Sequence, residues 1–316
     1  MVQSPLITPR SWLMIALLGL VWGSTFLFIE IALRGITPFW LAAGRISFAA
    51  LLTCIIWRLR GARLFRVHPT KQDWLRLMAV GALSSAVPFM LISWGQQFTT
   101  AGFTGVSMAS AALVVLPLAH FTVPGERMTA RRVAGFVVGF VGVVVLIGPS
   151  ALASSGLEGE TLGQLACISA ASCYAISSIN IRQLPEMDPL GLSAMTLVFG
   201  TCIVILMALI VEGPPPHPDT ETLAVLALLG LVPTAGANFI RTVVARTAGP
   251  VFLSIVNYIV PVVSVITGIL FLGEPVFATL FIALGLILAG VGLSQYGALR
   301  RLFSRDDPNR FQATLR

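Results

Sequence analysis

Long runs of apolar residues dominate the chain, and short polar segments separate them. Each run is close to the roughly 20 residues that an α-helix needs to cross the hydrocarbon core of a bilayer. The first run is too long, and too weakly preceded by positive charge, to be a cleaved signal peptide. We predict an all-α integral membrane fold of ten transmembrane helices, at residues 12–33, 38–57, 74–95, 101–123, 133–149, 162–181, 190–211, 222–245, 250–272 and 276–297.

The composition agrees with this pattern. The 316 residues are 56% hydrophobic and only 10% charged, and the mean hydropathy is +0.91. A soluble domain would carry about 25% charged residues. The net charge of +7 could suggest a nucleic-acid partner, but the chain has a single lysine, Lys71, and its arginines form short clusters between apolar runs. This distribution is typical of membrane loops, so we expect the lipid bilayer as a partner and no nucleic acid.

The positive charges also predict an orientation. Nearly all of the 20 Lys and Arg residues fall in one set of alternate loops and in the two termini, whereas the other set holds only Arg34. The acidic residues of the Arg-poor set are Glu158, Glu160, Glu212, Asp219 and Glu221. By the positive-inside rule, residues 1–11 and 298–316 are predicted to be cytoplasmic tails.

A Pro/Gly/Ser-rich linker at residues 149–161 divides the chain into two sets of five helices, 12–149 and 161–297. Residues 79–103 and 228–252 align without a gap and match, for example, Gly81 with Gly230. Because five is an odd number, the second set enters the membrane from the opposite side. We therefore predict an inverted repeat, an arrangement found in many alternating-access transporters.

Short motifs recur in a fixed order along these helices: Trp22-Gly23-Ser24, Pro38 followed by Arg45, Gly125-Glu126 and Gly273-Glu274. In that order the sequence resembles the EamA family of the drug/metabolite transporter superfamily over residues 12–297. The resemblance implies a ten-helix carrier of the bacterial inner membrane, with a central cavity lined mostly by the first, third, fourth, sixth, eighth and ninth helices. Many members export amino acids or related metabolites. Tyr174-Ala175 departs from the Trp-Ala that often stands at this place.

From this resemblance we predict a carrier that moves a small, amino-acid-like metabolite outward by alternating access. Two alternatives remain open: an uptake or exchange carrier for a sugar or nucleotide derivative, and an intramembrane enzyme. No His–Asp pair or metal-ligand spacing supports an enzyme, and we expect no catalytic residue, metal or cofactor. The four cysteines lie inside apolar runs, where they are predicted to pack. We expect a monomer or a homodimer.

Polar residues inside the predicted helices are costly in lipid, so they are the candidates for a cavity. Asn238 and Arg241 follow Thr234 at spacings that place all three on one helix face. The candidate substrate-binding residues are Trp22, Arg45, Asn180, Asn238, Arg241, Asn257 and Tyr258. The alternatives are hydrogen bonds that join helices, core packing by the aromatic residues, and an Arg241 side chain that reaches the membrane surface.

Glu30 is the one acidic residue predicted to lie inside a helix, which makes it the candidate proton site. We predict an ion pair between Glu30 and Arg45; the alternative is a pair with Arg34 one turn along the helix. Pro233 and Pro261 lie near the middle of their helices and are predicted to be hinges or fixed kinks.

Glycines in two helices predict close packing. They are Gly135, Gly139 and Gly142 in the fifth helix, and Gly285 and Gly292 in the tenth. Such residues allow either these two helices or two subunits to approach closely.

Overall fold

The computed structural model describes residues 7–65, 68–122, 128–148 and 159–303. These ranges contain ten helices long and apolar enough to cross a membrane, which confirms the predicted fold class. Gly125-Glu126, residues 149–158 of the linker and the ends of both tails lie outside the described ranges. We number the helices α1 to α10 in chain order: Pro9–Leu33, Pro38–Leu59, Lys71–Gly95, Ala101–Thr122, Ala130–Ile147, Glu160–Ile181, Pro189–Val211, Thr220–Thr247, Val251–Leu272 and Ala278–Arg300.

Consecutive helices alternate in direction, so the start of α1 and the end of α10 lie on the same side of the bundle. We call this side the chain-end side and the opposite one the far side. Large apolar side chains cover the outside of the bundle, and Leu59, Phe121 and Leu270 are 82%, 82% and 70% exposed. A continuous apolar surface of this kind suits contact with lipid rather than water.

Hydrogen-bonding side chains mark where helices begin. The Thr8 hydroxyl accepts a bond from the backbone N–H of Ser11 at the start of α1, and Thr70 does the same for Asp73 in α3. Such caps satisfy backbone donors that have no partner within the helix. Glu212, which follows α7, caps a helix of the other half, because its carboxylate accepts bonds from the backbone N–H groups at the start of α2.

Three helices pack extensively against their counterparts in the other half. Helix α2 packs on α7, α4 packs on α9, and α5 packs on α10. Another pair of contacts is repeated in the two halves. Helix α1 packs on α9, and its counterpart α6 packs on α4, which is the counterpart of α9. These contacts are those expected of two repeats related by an approximate two-fold axis.

Two helices contain a wide π-helical turn at equivalent positions of the repeat. The turn spans Ala82–Ala86 in α3 and Gly230–Gly236 in α8. Both fall at the same place in the gap-free alignment of residues 79–103 with 228–252. The sequence predicted a kink at Pro233, but it did not predict the wide turn in α3. Turns of this type occur frequently at functional sites.

Helices α5 and α10 approach each other through glycines. A Cβ atom added to Gly290 would lie 2.5 Å from the Gly135 carbonyl oxygen and 2.6 Å from the Gly139 Cα. The predicted contact between these helices is therefore present, but the α10 residue at its centre is Gly290. Gly285, which the sequence suggested, is not at this contact. A Cβ added to it would have no neighbouring atom within 4 Å among the described residues.

This packing predicts that Gly290→Leu destabilises the protein, whereas Gly285→Leu on the same helix does not. A side chain forced against backbone cannot be accommodated by a change of rotamer, and such overpacking costs about 1–3 kcal/mol or more. Thermal unfolding of the purified protein in detergent would show a lower midpoint for Gly290→Leu alone. Equal midpoints for the two variants would contradict the α5–α10 contact.

Candidate functional site

A polar cluster lies where α2 meets the wide turn of α8. Its centre is Arg45, which is only 6% exposed and, by the helical rise, lies about 10 Å along α2 from the far side. The Arg45 Nε–H donates a hydrogen bond of 2.9 Å to the Thr234 hydroxyl, and the guanidinium lies over the Phe89 ring, 4.0 Å from its centroid. These contacts fix both the direction and the plane of the guanidinium group.

The wide turn explains why Thr234 is available to Arg45. Pro233 has no N–H, so it leaves the carbonyl of Leu229 without its usual helical partner. The Thr234 hydroxyl donates to that carbonyl at 2.8 Å. Its only hydrogen is then used, and its oxygen can accept from Arg45.

Trp22 contacts the same turn from α1. Its indole N–H donates to the Pro233 carbonyl oxygen at 2.9 Å. Helix α1 is interrupted immediately afterwards, since its two segments are Pro9–Gly23 and Thr25–Leu33. The interruption in α1 and the wide turn in α8 are therefore joined by one hydrogen bond.

The line of polar groups continues along α8 towards the chain-end side. The Asn238 amide donates to the Thr234 carbonyl at 2.6 Å, and Arg241 donates to the Asn238 side-chain oxygen at 3.4 Å. The structure thus places these residues on one face, as their spacing indicated. Arg45 is enclosed at one end of the line, whereas Arg241 is exposed at the other.

The packing of the described helices indicates a crevice between the two halves on the chain-end side. Helix α4 consists of Ala101–Met108 and Ala111–Thr122. The first segment packs against α9, but the second packs against α6 and α5 and makes no extended contact with α9. Helix α6 likewise packs on α3 and α4, and not extensively on α1, α8 or α9. One wall therefore consists of α1, α8 and α9, and the other of α3, α4 and α6.

Asn257 lies on the α9 wall of this crevice. It precedes Ser264 by two helical turns, so the two residues share a face. Ser264 contacts Gly105 of α4 in the closed half of the bundle, where a Cβ on the glycine would overlap its hydroxyl. Two turns towards the chain-end side, α4 has moved away, and Asn257 is exposed.

The far side is closed by hydrogen bonds between helices. Glu274, in the loop after α9, accepts bonds of 2.5 and 3.0 Å from the backbone N–H groups of Ala101 and Gly102. Gln96, at the end of α3, donates to the Phe26 carbonyl at 2.7 Å and to the Glu30 carboxylate at 3.3 Å. On this side α1 is thereby linked to α3, and α4 is linked to the loop after α9.

Burial raises the pKa of the Glu274 carboxyl, and the bonds from Gly102 and Ala101 offset part of that rise. A carboxyl whose pKa is raised in this arrangement takes up a proton more readily than it would in water. By linkage, acid favours this closed arrangement over one in which Glu274 is solvated, and the effect is lost as the pH rises through the raised pKa.

The predicted ion pair between Glu30 and Arg45 is wrong. Arg45 bonds to Thr234, and Glu30 receives its bond from Gln96. The side chains of α1 and α2 turn to different neighbours, which the spacing within each helix could not reveal. Arg34 is near enough to Glu30 to attract its charge, although no hydrogen bond joins them among the described residues.

Three candidates lie away from the cluster. Tyr258 lies near Gly292 of α10, where an added Cβ would be 4.0 Å from its ring and its hydroxyl, and that hydroxyl is enclosed with no partner among the described residues. Asn180 is half-buried on the face of α6 that also carries the exposed Leu162 and Ile176. Pro261 lies inside the uninterrupted segment Val256–Leu272, so the break in the ninth span falls before it.

Sequence reasoning did not single out several residues of the site. Phe89 looked like an ordinary member of an apolar helix, Gln96 falls just beyond the predicted third span, and only the fold brings them to Arg45 and Glu30. The sequence placed Thr234 on the polar face of α8 but not its bond to Arg45, although a hydroxyl next to a mid-helix proline often donates to a carbonyl of the preceding turn. Within the described ranges, no three His, Cys, Asp or Glu side chains are grouped to hold a metal.

A groove of about 540 Å³ runs between α1 and α9 near the far side. Ser24, Phe28, Thr267 and Phe271 are among its lining residues. It is open and mostly apolar, and none of the candidate residues lines it. In a bilayer, such a surface is suited to a lipid chain.

Comparisons with known proteins identify a family model and a solved structure that match this chain. The family model described as the EamA-like transporter family matches twice, at residues 10–148 and 161–295. A solved crystal structure superimposes with a TM-score of 0.61 over 92% of this chain and 99% of its own, at 19% sequence identity. At that identity the likeness shows the fold alone.

Several curated relatives match nearly end to end. An "uncharacterized transporter" of Archaeoglobus fulgidus is 25% identical, over 89% of this chain and 97% of its own. The "uncharacterized inner membrane transporter YedA" of Escherichia coli K12 is 24% identical, over 89% of each chain. A "probable terminal-alkyne amino-acid exporter" of Streptantibioticus cattleyicolor is 26% identical, over 92% of this chain and 94% of its own. With ten membrane-spanning helices and two matches to the family model that together cover most of its length, the chain belongs to the EamA-like transporter family.

Proposed function

We propose that the protein exports a small, amino-acid-like metabolite across the bacterial inner membrane by alternating access. The observation that carries this proposal is the contact between α4 and α9, which is extensive for the far-side segment of α4 and slight for its chain-end segment among the described residues. A carrier that works by alternating access needs such a one-sided crevice around its binding site.

The chain-end side is assigned to the cytoplasm. The clusters of Lys and Arg between helices lie on this side, as do both chain ends, and cytoplasmic loops carry an excess of such residues. The arrangement described here is therefore inward-open. A cytoplasmic solute enters it directly, which suits export.

The proposed binding surface lies on the α1, α2, α8 and α9 side of the crevice. Trp22, Arg45, Asn238, Arg241 and Asn257 supply one aromatic ring, two cations and two amides. Such groups suit a zwitterion that also has an apolar part. The relative from Streptantibioticus cattleyicolor, named as a probable amino-acid exporter, supports the same class of solute. Asn180 and Tyr258 are not assigned to this surface in the inward-open arrangement.

The change of access requires the far side to open and the chain-end side to close. Pro233 sits in the wide turn of α8, where Trp22 and Thr234 hold the altered backbone, and we assign it as a hinge. Pro261 is assigned as a fixed kink. Release of Glu274 from the start of α4 opens the far side, and Glu30 beside it is the candidate proton site.

Transport is tested by counterflow into proteoliposomes. Vesicles preloaded with unlabelled L-leucine, L-threonine or L-phenylalanine are expected to accumulate the same labelled amino acid several-fold above protein-free vesicles. Chromatography of the vesicle contents should return the solute unchanged, which distinguishes a carrier from an enzyme. Uptake at the protein-free level for all three would count against the proposed substrate class.

The inward-open crevice predicts the reactivity of cysteines on α9. In a protein whose native cysteines have been replaced, Asn257→Cys should react with a membrane-impermeant maleimide from the cytoplasmic side. Ile266→Cys is the control, because Ile266 is 49% exposed but lies on the apolar outside of the same helix. A thiol in lipid does not ionise and reacts slowly.

Equal labelling at the two positions would remove the support for a wet crevice. Labelling of Asn257→Cys only from the periplasmic side would reverse the assigned orientation. Inside-out and right-side-out vesicles provide the two measurements.

The role of Glu274 is tested with Glu274→Ala. Loss of the carboxylate leaves the Ala101 and Gly102 amides without their acceptor, and loss of a helix cap costs about 0.5–2 kcal/mol. Hydrogen exchange in the peptide at the start of α4 should therefore be roughly 2- to 30-fold faster. Glu221→Ala, an exposed acid at the start of α8, is the control. Unchanged exchange in Glu274→Ala would mean that this carboxylate does not hold the far side closed.

A further inference from the structure

Arg45 is a buried cation that has no counter-ion among the residues that the structure describes. It is 6% exposed, and its Nε–H is the one donor of its five that has a hydrogen-bond partner among the described residues. No described acidic side chain forms an ion pair with it, and Glu30 is engaged by Gln96 instead. A buried guanidinium that lacks an anion is strongly disfavoured, and within a membrane such groups usually mark a binding site or a pathway.

The terminal nitrogens of Arg45 are not completely enclosed. They have no hydrogen-bond partner among the described residues, yet they are not among the fully enclosed unpartnered atoms, unlike the Tyr258 hydroxyl. A small part of their surface therefore remains accessible, although the residue as a whole is only 6% exposed. The line of polar groups on α8, from Arg241 through Asn238 to Thr234, connects the same place with the open side of the crevice.

The orientation of the guanidinium selects the shape of its ligand. Thr234 holds Nε, and Phe89 holds one face of the planar group. The two terminal nitrogens remain as a fork of parallel donors, which fits the two oxygens of a carboxylate. Tyr174 is near enough to interact electrostatically with Arg45, and with Phe89 it provides an aromatic surround for the ligand.

We propose that the terminal nitrogens of Arg45 bind the carboxylate of the transported solute at the deep end of the crevice. This inference rests on the proposed function and deepens it, because it assigns the solute a carboxylate group and names the residue that recognises it. The carboxylate supplies the negative charge that the bundle lacks at this point, so binding requires an anion. The Arg241–Asn238 line guides the anion inward from the cytoplasm.

The first test uses the wild-type protein. The purified full chain in detergent is titrated with L-leucine, L-threonine and L-phenylalanine, and with the carboxamide of each, while the thermal unfolding midpoint is followed. At least one amino acid should raise the midpoint, and its carboxamide should bind about 10- to 100-fold more weakly, the loss expected for charge-assisted hydrogen bonds. Inorganic phosphate is the comparison anion and should have little effect.

The second test uses variants. Arg45→Gln should lower the affinity for the amino acid to that for its carboxamide and leave the carboxamide affinity within about two-fold. Arg45→Lys, which keeps the charge but has no fork, should fall between them. Arg246→Gln is the matched control, because Arg246 is exposed on α8. Its binding should equal that of the wild type.

The outcomes separate this inference from the proposed function. Equal binding of amino acids and carboxamides, stabilisation by phosphate alone, or no binding by any carboxylate overturns the role of Arg45. Counterflow of carboxamides as fast as amino acids overturns that role but leaves a carrier. Binding that depends on Arg45, with no counterflow of any solute, supports the recognition of carboxylate and rejects transport. Because the wild-type comparison needs no variant, a failure of Arg45→Gln to fold does not affect it.

Discussion

Every backbone N–H and C=O group in the hydrocarbon core needs a partner within the protein, because no water is there to supply one. The wide turn of α8 shows how much follows from this constraint. Pro233 cannot donate to the Leu229 carbonyl, so the helix widens into a π-helical turn at this point, and the Thr234 hydroxyl donates to that carbonyl as well. The carbonyl of Pro233 itself accepts from Trp22 of α1. The side chains that satisfy an altered backbone are therefore the same ones that join α1, α2 and α8 around Arg45.

Two charges, one in a loop and one inside a helix, have different kinds of partner. Glu274 lies in the loop after α9 and accepts from the backbone N–H groups that begin α4, where the helix dipole favours a negative charge. Arg45 lies within α2 and has a hydroxyl and an aromatic face as neighbours, but no acid among the described residues. Glu274 joins the loop after α9 to the start of α4 through a hydrogen bond to each of its carboxylate oxygens. Arg45 keeps unused donors beside the crevice, which is the condition for binding a ligand.

The two halves contain equivalent helices, but not every contact between the halves is symmetric. The wide turns of α3 and α8 and the paired packing of α2 with α7, α4 with α9 and α5 with α10 obey the approximate symmetry. The α4–α9 contact does not, because it is closed on one side only. Since the two halves are equivalent, the same kind of contact on the chain-end side would close the crevice there. In the proposed cycle the protein alternates between these two arrangements, and the glycine contact of α5 with α10 stays fixed.

The sequence by itself determined the class of protein, the number of helices and the existence of the repeat, because lipid imposes length and apolarity on each span separately. It also determined that Asn238 and Arg241 share a face with Thr234, since helical spacing is a local property. The partners of Arg45 and Glu30, the glycine at the centre of the α5–α10 contact and the direction in which Tyr258 points were decided only by tertiary structure. Apolar helices present similar surfaces on several sides, so their rotation and depth are set by packing against neighbours distant in the chain.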